Sequence, residues 1–220
     1  CNLPNRAGCT VLPMSGDVGS QYTPAAGWAQ SITYHRDSLG DASYAGCISV
    51  ALGGDASVAT SGFWASLTMA TTLKLPMLFY IEDNDLGISV RGDMQTPGGD
   101  IARNLASFTN LFVRNGSGTE PHEAAGLLQE AVAHVRSGAG PALVRLTVPR
   151  LCSHSGPDNQ KGYRTDDEIA ADLARDPLPK LHDYLVPALM SAVEWAELEA
   201  EVARDIAAGL EEARAREIGR

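Results

Sequence analysis

Apolar residues along this chain change their spacing several times. Residues 46–53, Gly-Cys-Ile-Ser-Val-Ala-Leu-Gly, form a short glycine-bounded apolar run, the mark of a buried strand. Over 61–75, Phe63, Leu67, Ala70 and Leu73 recur at helical spacing, and Pro76 stops that helix. PMLFYIE (76–82) predicts a second buried strand. After a long polar loop, IARNLASF (101–108) predicts a short helix and LFVRN (111–115) a third strand. Glu120-Pro121-His122-Glu123 opens a helix running to Arg136, with proline in the first turn and carboxylates at the positive end of the dipole. Gly138 and Gly140 end it, and PALVRLTV (141–148) predicts a fourth strand. This β-α-β-α-β-α-β succession calls for an α/β fold: a doubly wound parallel sheet with helices on both faces.

Beyond the fourth strand, residues 150–164 (RLCSHSGPDNQKGYR) have no periodicity and predict a long loop of the kind that carries function. Thr165-Asp166-Asp167-Glu168 is a helix N-cap signature, Pro177 starts another helix, and 191–218 predicts one long amphipathic helix. Trp195, Leu198, Val202, Ile206 and Leu210 share one side of it, a core or subunit-interface stripe. The expected organisation is an α/β domain over 1–164 with a C-terminal helical extension over 165–220.

At 220 residues and 44% hydrophobic content the chain can bury one sizeable core. No apolar run approaches the roughly 20 residues that span a bilayer, so a soluble cytoplasmic protein is expected, or an organellar matrix one in a eukaryote. Cys1, Cys9, Cys47 and Cys152 are scattered and lack a CxxC pair, which predicts reduced thiols and neither a disulfide framework nor a zinc site. A start at Cys1, in sequence rich in Pro, Asn and Gly, predicts a fragment of a longer protein. The net charge of −10 is local: residues 165–220 hold 6 basic against 14 acidic residues. That balance disfavours nucleic acid and anionic membranes as partners and leaves the first three-quarters of the chain nearly neutral.

The candidate chemistry lies at two strand ends. Gly54-Asp55-Ala56-Ser57 follows the first strand, and Asp83-Asn84 follows the second. Ligands of parallel sheets bind at the C-terminal strand ends, and one crossover brings consecutive strands close enough for Asp55 and Asn84 to meet at one ion. Magnesium is typically held by one or two protein groups plus phosphate oxygens, so these side chains with the Leu86 carbonyl would make a half-shell. The turn from Ala56 to Ser61 feeds a helix whose free N–H groups favour a phosphate. Each residue also has a plainer reading, Asp55 as a helix N-cap and Asn84 as a turn residue.

On these residues the chain resembles a known family, the alpha subunit of the thiamine-diphosphate-dependent first component of the 2-oxoacid dehydrogenase complexes. GDASVATSGFWASLTMATTLKLPMLFYIEDNDLGIS is similar in length and ending to the family's GDG-to-NN cofactor motif. GDVGSQYTPAAG (16–27) resembles the stretch beside the aminopyrimidine ring, and RLCSHSGPDNQKGYRTDDE (150–168) resembles the family's HSxxD loop. The resemblance covers roughly residues 10–180. It implies a thiamine-diphosphate-binding fold in which Asp55, Asn84 and the Leu86 carbonyl bind magnesium. It further implies that Gly54, Ala56 and Ser57 line the diphosphate, that Gly16 and Val18 present backbone to the pyrimidine, and that His154 is catalytic beside the reactive end of the cofactor. Implied partners are a beta subunit or fused beta domain, a lipoyl acyltransferase that accepts the acyl group, and a 2-oxoacid substrate. An α2β2 assembly is expected, since the beta partner supplies the glutamate that polarises the aminopyrimidine. Ser155 is a phosphorylatable position in some relatives.

The chain departs from the family pattern at three places. Ala56 stands for the motif's third glycine, Asp83 for its first asparagine, and Ala65 for a usual glutamate. The family's diphosphate-gripping Tyr-Arg pair is expected before Cys1. Two alternatives therefore stay open: an acetoin-type thiamine-diphosphate dehydrogenase and a non-catalytic paralogue kept for assembly. A nicotinamide-binding fold is disfavoured because GGDASVAT lacks GxGxxG.

Overall fold

A computed structural model of the chain describes residues 8–12 and 15–216. Four parallel strands form the main sheet: β1 (Ser49–Gly54), β2 (Met77–Asp83), β5 (Phe112–Ser117) and β6 (Ala142–Thr147), in the order β1-β2-β6-β5. β3 (Leu86–Gly87) and β4 (Val90–Arg91) make a separate two-stranded hairpin. The first crossover is α2 (Ser61–Leu73), so β1 and β2 lie side by side with Gly54 opposite Glu82. The chain then reaches the far edge at β5, and α4 (Pro121–Arg136) brings it back to insert β6 beside β2.

Helices cover both faces, as the alternation predicts. On one face α1 (Tyr22–Thr33), α2 and the single-turn α3 (Ile101–Asn104) pack against Ala51, Phe79, Ile81 and Leu143. Tyr22, Phe63 and Phe79 meet there at centroid distances of 5.2 to 6.0 Å in edge-on and tilted arrangements, which adds to the burial of three large side chains. On the other face α4 lays Ala131 and Val135 on Leu78, Ala142, Val144 and Leu146. β1 is an edge strand, and Val50 and Leu52 on its second face are exposed.

The strands and crossover helices fall within a few residues of expectation. The predicted helix over 101–108 shrinks to one turn, with Asp100 capping it by accepting from the Arg103 N–H at 2.9 Å. The polar stretch after β2 is a folded hairpin with short 3-10 turns, not a plain loop. α1 is absent from the sequence-based expectation because its inward residues, Ala25, Ala26 and Ala29, are too small to stand out as a stripe.

The chain divides into two compact units, Cys1–Arg175 and Asp176–Arg220. α5 (Asp166–Leu173) belongs to the first, and its start carries the predicted capping box between Thr165 and Glu168. The second unit holds α6 (Pro177–Leu185) and α7 (Ala192–Ala215). Trp195 is buried there, edge-on to His182, while Leu198, Val202, Ile206 and Leu210 are exposed. Residues 217 and 218 of the predicted helix, and Cys1, lie outside the described residues. Cys9, Cys47 and Cys152 are free thiols. No helix among the described residues is long and apolar enough to cross a membrane.

Candidate functional site

The ends of β1 and β2 carry Asp55 and Asn84 to one spot. Asp55 opens a 3-10 turn (Asp55–Ala59) that links β1 to α2, and its carboxyl accepts from the Asn84 backbone N–H. It is not the N-cap of α2, a place held by Thr60. Asp55 is 8% exposed, and its Oδ2 is buried without a hydrogen-bond partner. Burial, and then the nearby charge of Asp83, push its carboxyl up to about 6 from the ordinary carboxylate range. A buried, unpartnered carboxylate oxygen is costly, and it is the acceptor a cation would satisfy.

Asn84 closes a tight turn, its Oδ1 accepting from the Leu86 N–H at 3.1 Å. The left-handed backbone belongs to Asp85 (φ 62°), whose Oδ1 accepts from Gly92 N–H at 3.2 Å. An amide oxygen has a second lone pair, so this turn bond leaves Asn84 able to accept or coordinate again. The Leu86 carbonyl receives one long bond, 3.4 Å from Arg150 Nη2. The donor set is thus a buried carboxylate, a carboxamide oxygen and a carbonyl, all hard oxygens suited to magnesium. The described residues contain no cluster of three or more His, Cys, Asp or Glu that would hold a metal on their own. A magnesium ion here would depend on phosphate oxygens or water to complete its shell.

Beneath the turn, packing fixes the backbone. Ser57 is buried, its Oγ 2.6 Å from Tyr22 Oη and donating to the Gly54 carbonyl at 2.6 Å. Burial pushes the Tyr22 hydroxyl up to about 12, so the phenol stays protonated as a structural donor. A Cβ at Gly53 would collide with both hydroxyls, which explains glycine there. The Ser57 side chain is therefore spent inward, and only its backbone is left to meet a ligand. The Ala56 methyl faces Gly87 of the hairpin.

The 16–21 segment docks onto the same turn. Gly19 (φ 84°) packs against the Thr60 side chain, Gly62 against the Gly19 carbonyl, and Gln21 Nε2 donates to the Leu52 carbonyl at 2.9 Å. Gly16 and Val18 lie on its exposed outer part. Ala65 is exposed on α2.

The 150–164 loop is tied to itself and to the hairpin. Asp158 Oδ2 accepts from the His154 N–H at 2.8 Å and from the Tyr163 hydroxyl at 2.6 Å, which holds its carboxyl below the usual range. The buried Arg150 donates to the Ile88 and Leu86 carbonyls and lies 3.2 Å from His154 Nδ1. Arg164 ties the loop base to Asp172 at 2.5 Å. His154 itself is exposed, one arginine away from the Leu86 carbonyl. Sequence reasoning overlooked Arg150 and Arg145; a charged residue at the centre of the apolar strand PALVRLTV was the available signal for the second.

A family model described as dehydrogenase E1 component matches residues 4–219. The chain is 25% identical over 202 residues to a pyruvate dehydrogenase E1 component subunit alpha of Mycoplasma pneumoniae, covering 91% of this chain and 54% of that protein. It is 28% identical over 174 residues to a 3-methyl-2-oxobutanoate dehydrogenase subunit alpha of Mycobacterium tuberculosis, covering 79% of this chain and 45% of that one. A 2-oxoisovalerate dehydrogenase subunit alpha of Bacillus subtilis matches at 30% over 132 residues, 60% of this chain and 40% of the relative. The chain thus spans about half the length of the curated relatives it matches.

Proposed function

The chain belongs to the dehydrogenase E1 component family, and on that premise we propose that it forms the magnesium-diphosphate side of a thiamine diphosphate site in a decarboxylating 2-oxoacid dehydrogenase. The observation that carries this reading is the buried, unpartnered Oδ2 of Asp55 beside Asn84 at the C-terminal ends of β1 and β2. Asp55, Asn84 and the Leu86 carbonyl would hold the metal. Backbone groups of Gly54, Ala56 and Ser57 would line the diphosphate, and Gly16 and Val18 would border the pyrimidine.

When bound, thiamine diphosphate supplies a carbon nucleophile for the 2-oxo group and an electron sink for the pair released on decarboxylation. The residues of this chain bind and orient. Asp55 would balance the metal's charge in a site where a carboxylate is otherwise destabilised. The Tyr22, Ser57 and Gly54 contacts fix the turn, so that its backbone donors need not reorganise when an anion arrives. His154, whose N–H is bonded to Asp158 and whose ring lies beside Arg150, would donate a hydrogen bond to substrate rather than to cofactor phosphate.

The substrate would be a 2-oxoacid of the pyruvate or branched-chain type, the two classes that the relatives' names span. A beta subunit or fused beta domain would complete the site, and a lipoyl acyltransferase would accept the acyl group. Two departures from the family pattern do not obstruct this reading: the Ala56 methyl is turned onto Gly87, and the Asp83 charge is paired with Arg145. Titration of the protein, assembled with its beta partner, with thiamine diphosphate in magnesium and then in excess chelator tests the proposal. Magnesium-dependent binding is expected; binding indifferent to chelation, or none at all, would refute it.

A further inference from the structure

Asp83 sits where an extra negative charge is least welcome. Its carboxyl is 5% exposed and lines a narrow crevice shared with Asp55, Gly92, Thr96, Gly99 and Ile101. A magnesium-bound diphosphate on Asp55 would put a further anion beside it. One oxygen of Asp83 accepts from the Asp85 N–H at 2.9 Å and so shapes the turn that presents Asn84 and Leu86. The other is held at 2.6 Å by Arg145 Nε.

Arg145 is placed for this by register. It lies opposite Ile81 on β2 and Asn115 on β5, so its side chain leaves the same face of the sheet as Asp83, two residues beyond Ile81. Its guanidinium is 12% exposed. Besides Asp83 it pairs with Asp100 Oδ2 at 3.2 Å, donates to Asn115 Oδ1 at 3.1 Å and makes a longer contact with the Gly99 carbonyl at 3.4 Å. Asn115 Nδ2 also donates to Asp100 at 3.2 Å. One fixed planar cation thus joins the end of β2, the turn before α3, and β5.

We propose that Arg145 is a positioning residue for the cofactor site: it neutralises Asp83 and anchors the Asp83–Leu86 turn, so that the acid functions there as an asparagine would. This rests on the functional reading above. Removing one partner of a buried ion pair leaves an uncompensated charge, so the two residues must be coupled.

The test is a double-mutant cycle in the protein assembled with its partner, reading the dissociation constant of thiamine diphosphate by calorimetry at saturating magnesium, with thermal melting alongside. Arg145→Gln should weaken binding about tenfold, because a free Asp83 carboxylate then faces the diphosphate. Asp83→Asn should change it by no more than about threefold, and the double variant should return to within about threefold of wild type. A packing role for Arg145 predicts no such rescue. Wild-type affinity in Arg145→Gln, or a double variant as weak as Arg145→Gln, overturns the proposal. Should Arg145→Gln not fold, Arg145→Met takes its place in the cycle and the same two outcomes decide. Failure of the wild type to bind would instead bring down the functional reading, and this inference with it.

Discussion

Two carboxylates on the same rim of this molecule are treated in opposite ways. Asp158, in the 150–164 loop, is half-buried, its Oδ2 accepts from the Tyr163 hydroxyl and the His154 N–H, and its carboxyl is held low. Asp55, at the end of β1, is buried with one oxygen unpartnered, and its carboxyl is pushed up. At Asp158 the loop has closed its own hydrogen bonds. The strand end has one left open. Polar groups inside proteins are nearly always paired; among the described residues Gln21 Oε1, Asp55 Oδ2, Ser66 Oγ and Arg164 Nε are buried without a partner, and of these the Asp55 oxygen is the carboxylate, at a strand end beside the Asn84 turn, which singles it out for a cationic ligand.

The largest expected effect comes from removing the open carboxylate. Asp55→Ala should lower magnesium-dependent affinity for thiamine diphosphate at least about a hundredfold, since a charged metal ligand is lost from a desolvated site. The ligand-free melting temperature should fall little, because removing the unpartnered Oδ2 offsets the loss of the bond from the Asn84 N–H. A marked drop in melting temperature would show that Asp55 serves the fold and would break the contrast with Asp158.

Next comes the support under the strand end. Gly53→Ala introduces a methyl group into the space of Tyr22 Oη and Ser57 Oγ, and should cost about 1–3 kcal/mol in urea denaturation. A neutral result would mean that the two hydroxyls yield easily and do not set the backbone of the turn.

The pH dependence of stability should separate the two acids by sign. Asp55 has a folded value of about 6, above its unfolded one, so it binds its proton more tightly in the folded chain. Stability without ligand should therefore fall as pH rises from about 4 to about 6, by roughly 1–2 kcal/mol after allowance for solvent screening, a slope absent from Asp55→Asn. Asp158 is lowered, so its contribution is present above the unfolded value and is lost as pH falls through the folded one. Urea midpoints across pH 3.5–7 in wild type, Asp55→Asn and Asp158→Asn measure both slopes.

The smallest effect should come from Asp158→Asn itself. Cofactor affinity should stay within about threefold, with faster hydrogen exchange at the His154 amide as the visible change. A larger loss of affinity would show that the loop also carries the ligand.

Much of this was legible in the chain itself. The β1-α2-β2 unit could be read because glycine, apolar run and Pro76 act over a few residues, and the two polar strand ends could be read because a crossover of fixed length returns them to one edge. α1 could not, since small alanines signal burial only after a neighbour arrives to cover them. The folded hairpin after β2 was hidden for a related reason: its turns are held by Asp85, Gly92 and Gln95 contacts across several residues, which leave no period.

Amino-acid order alone determined the four main strands with the crossover helices between them, the parallel sheet with two covered faces, and the convergence of the strand ends that carry Asp55 and Asn84, because local propensity and hydrophobic period act on neighbours along the chain. Tertiary structure alone decided that β6 inserts beside β2, and with it that Arg145 reaches Asp83, that Ser57 turns inward to Tyr22, and that one oxygen of Asp55 is left without a partner. Whether a charge is satisfied depends on what surrounds it in space, and residues 62 positions apart in sequence can meet only after the sheet has formed.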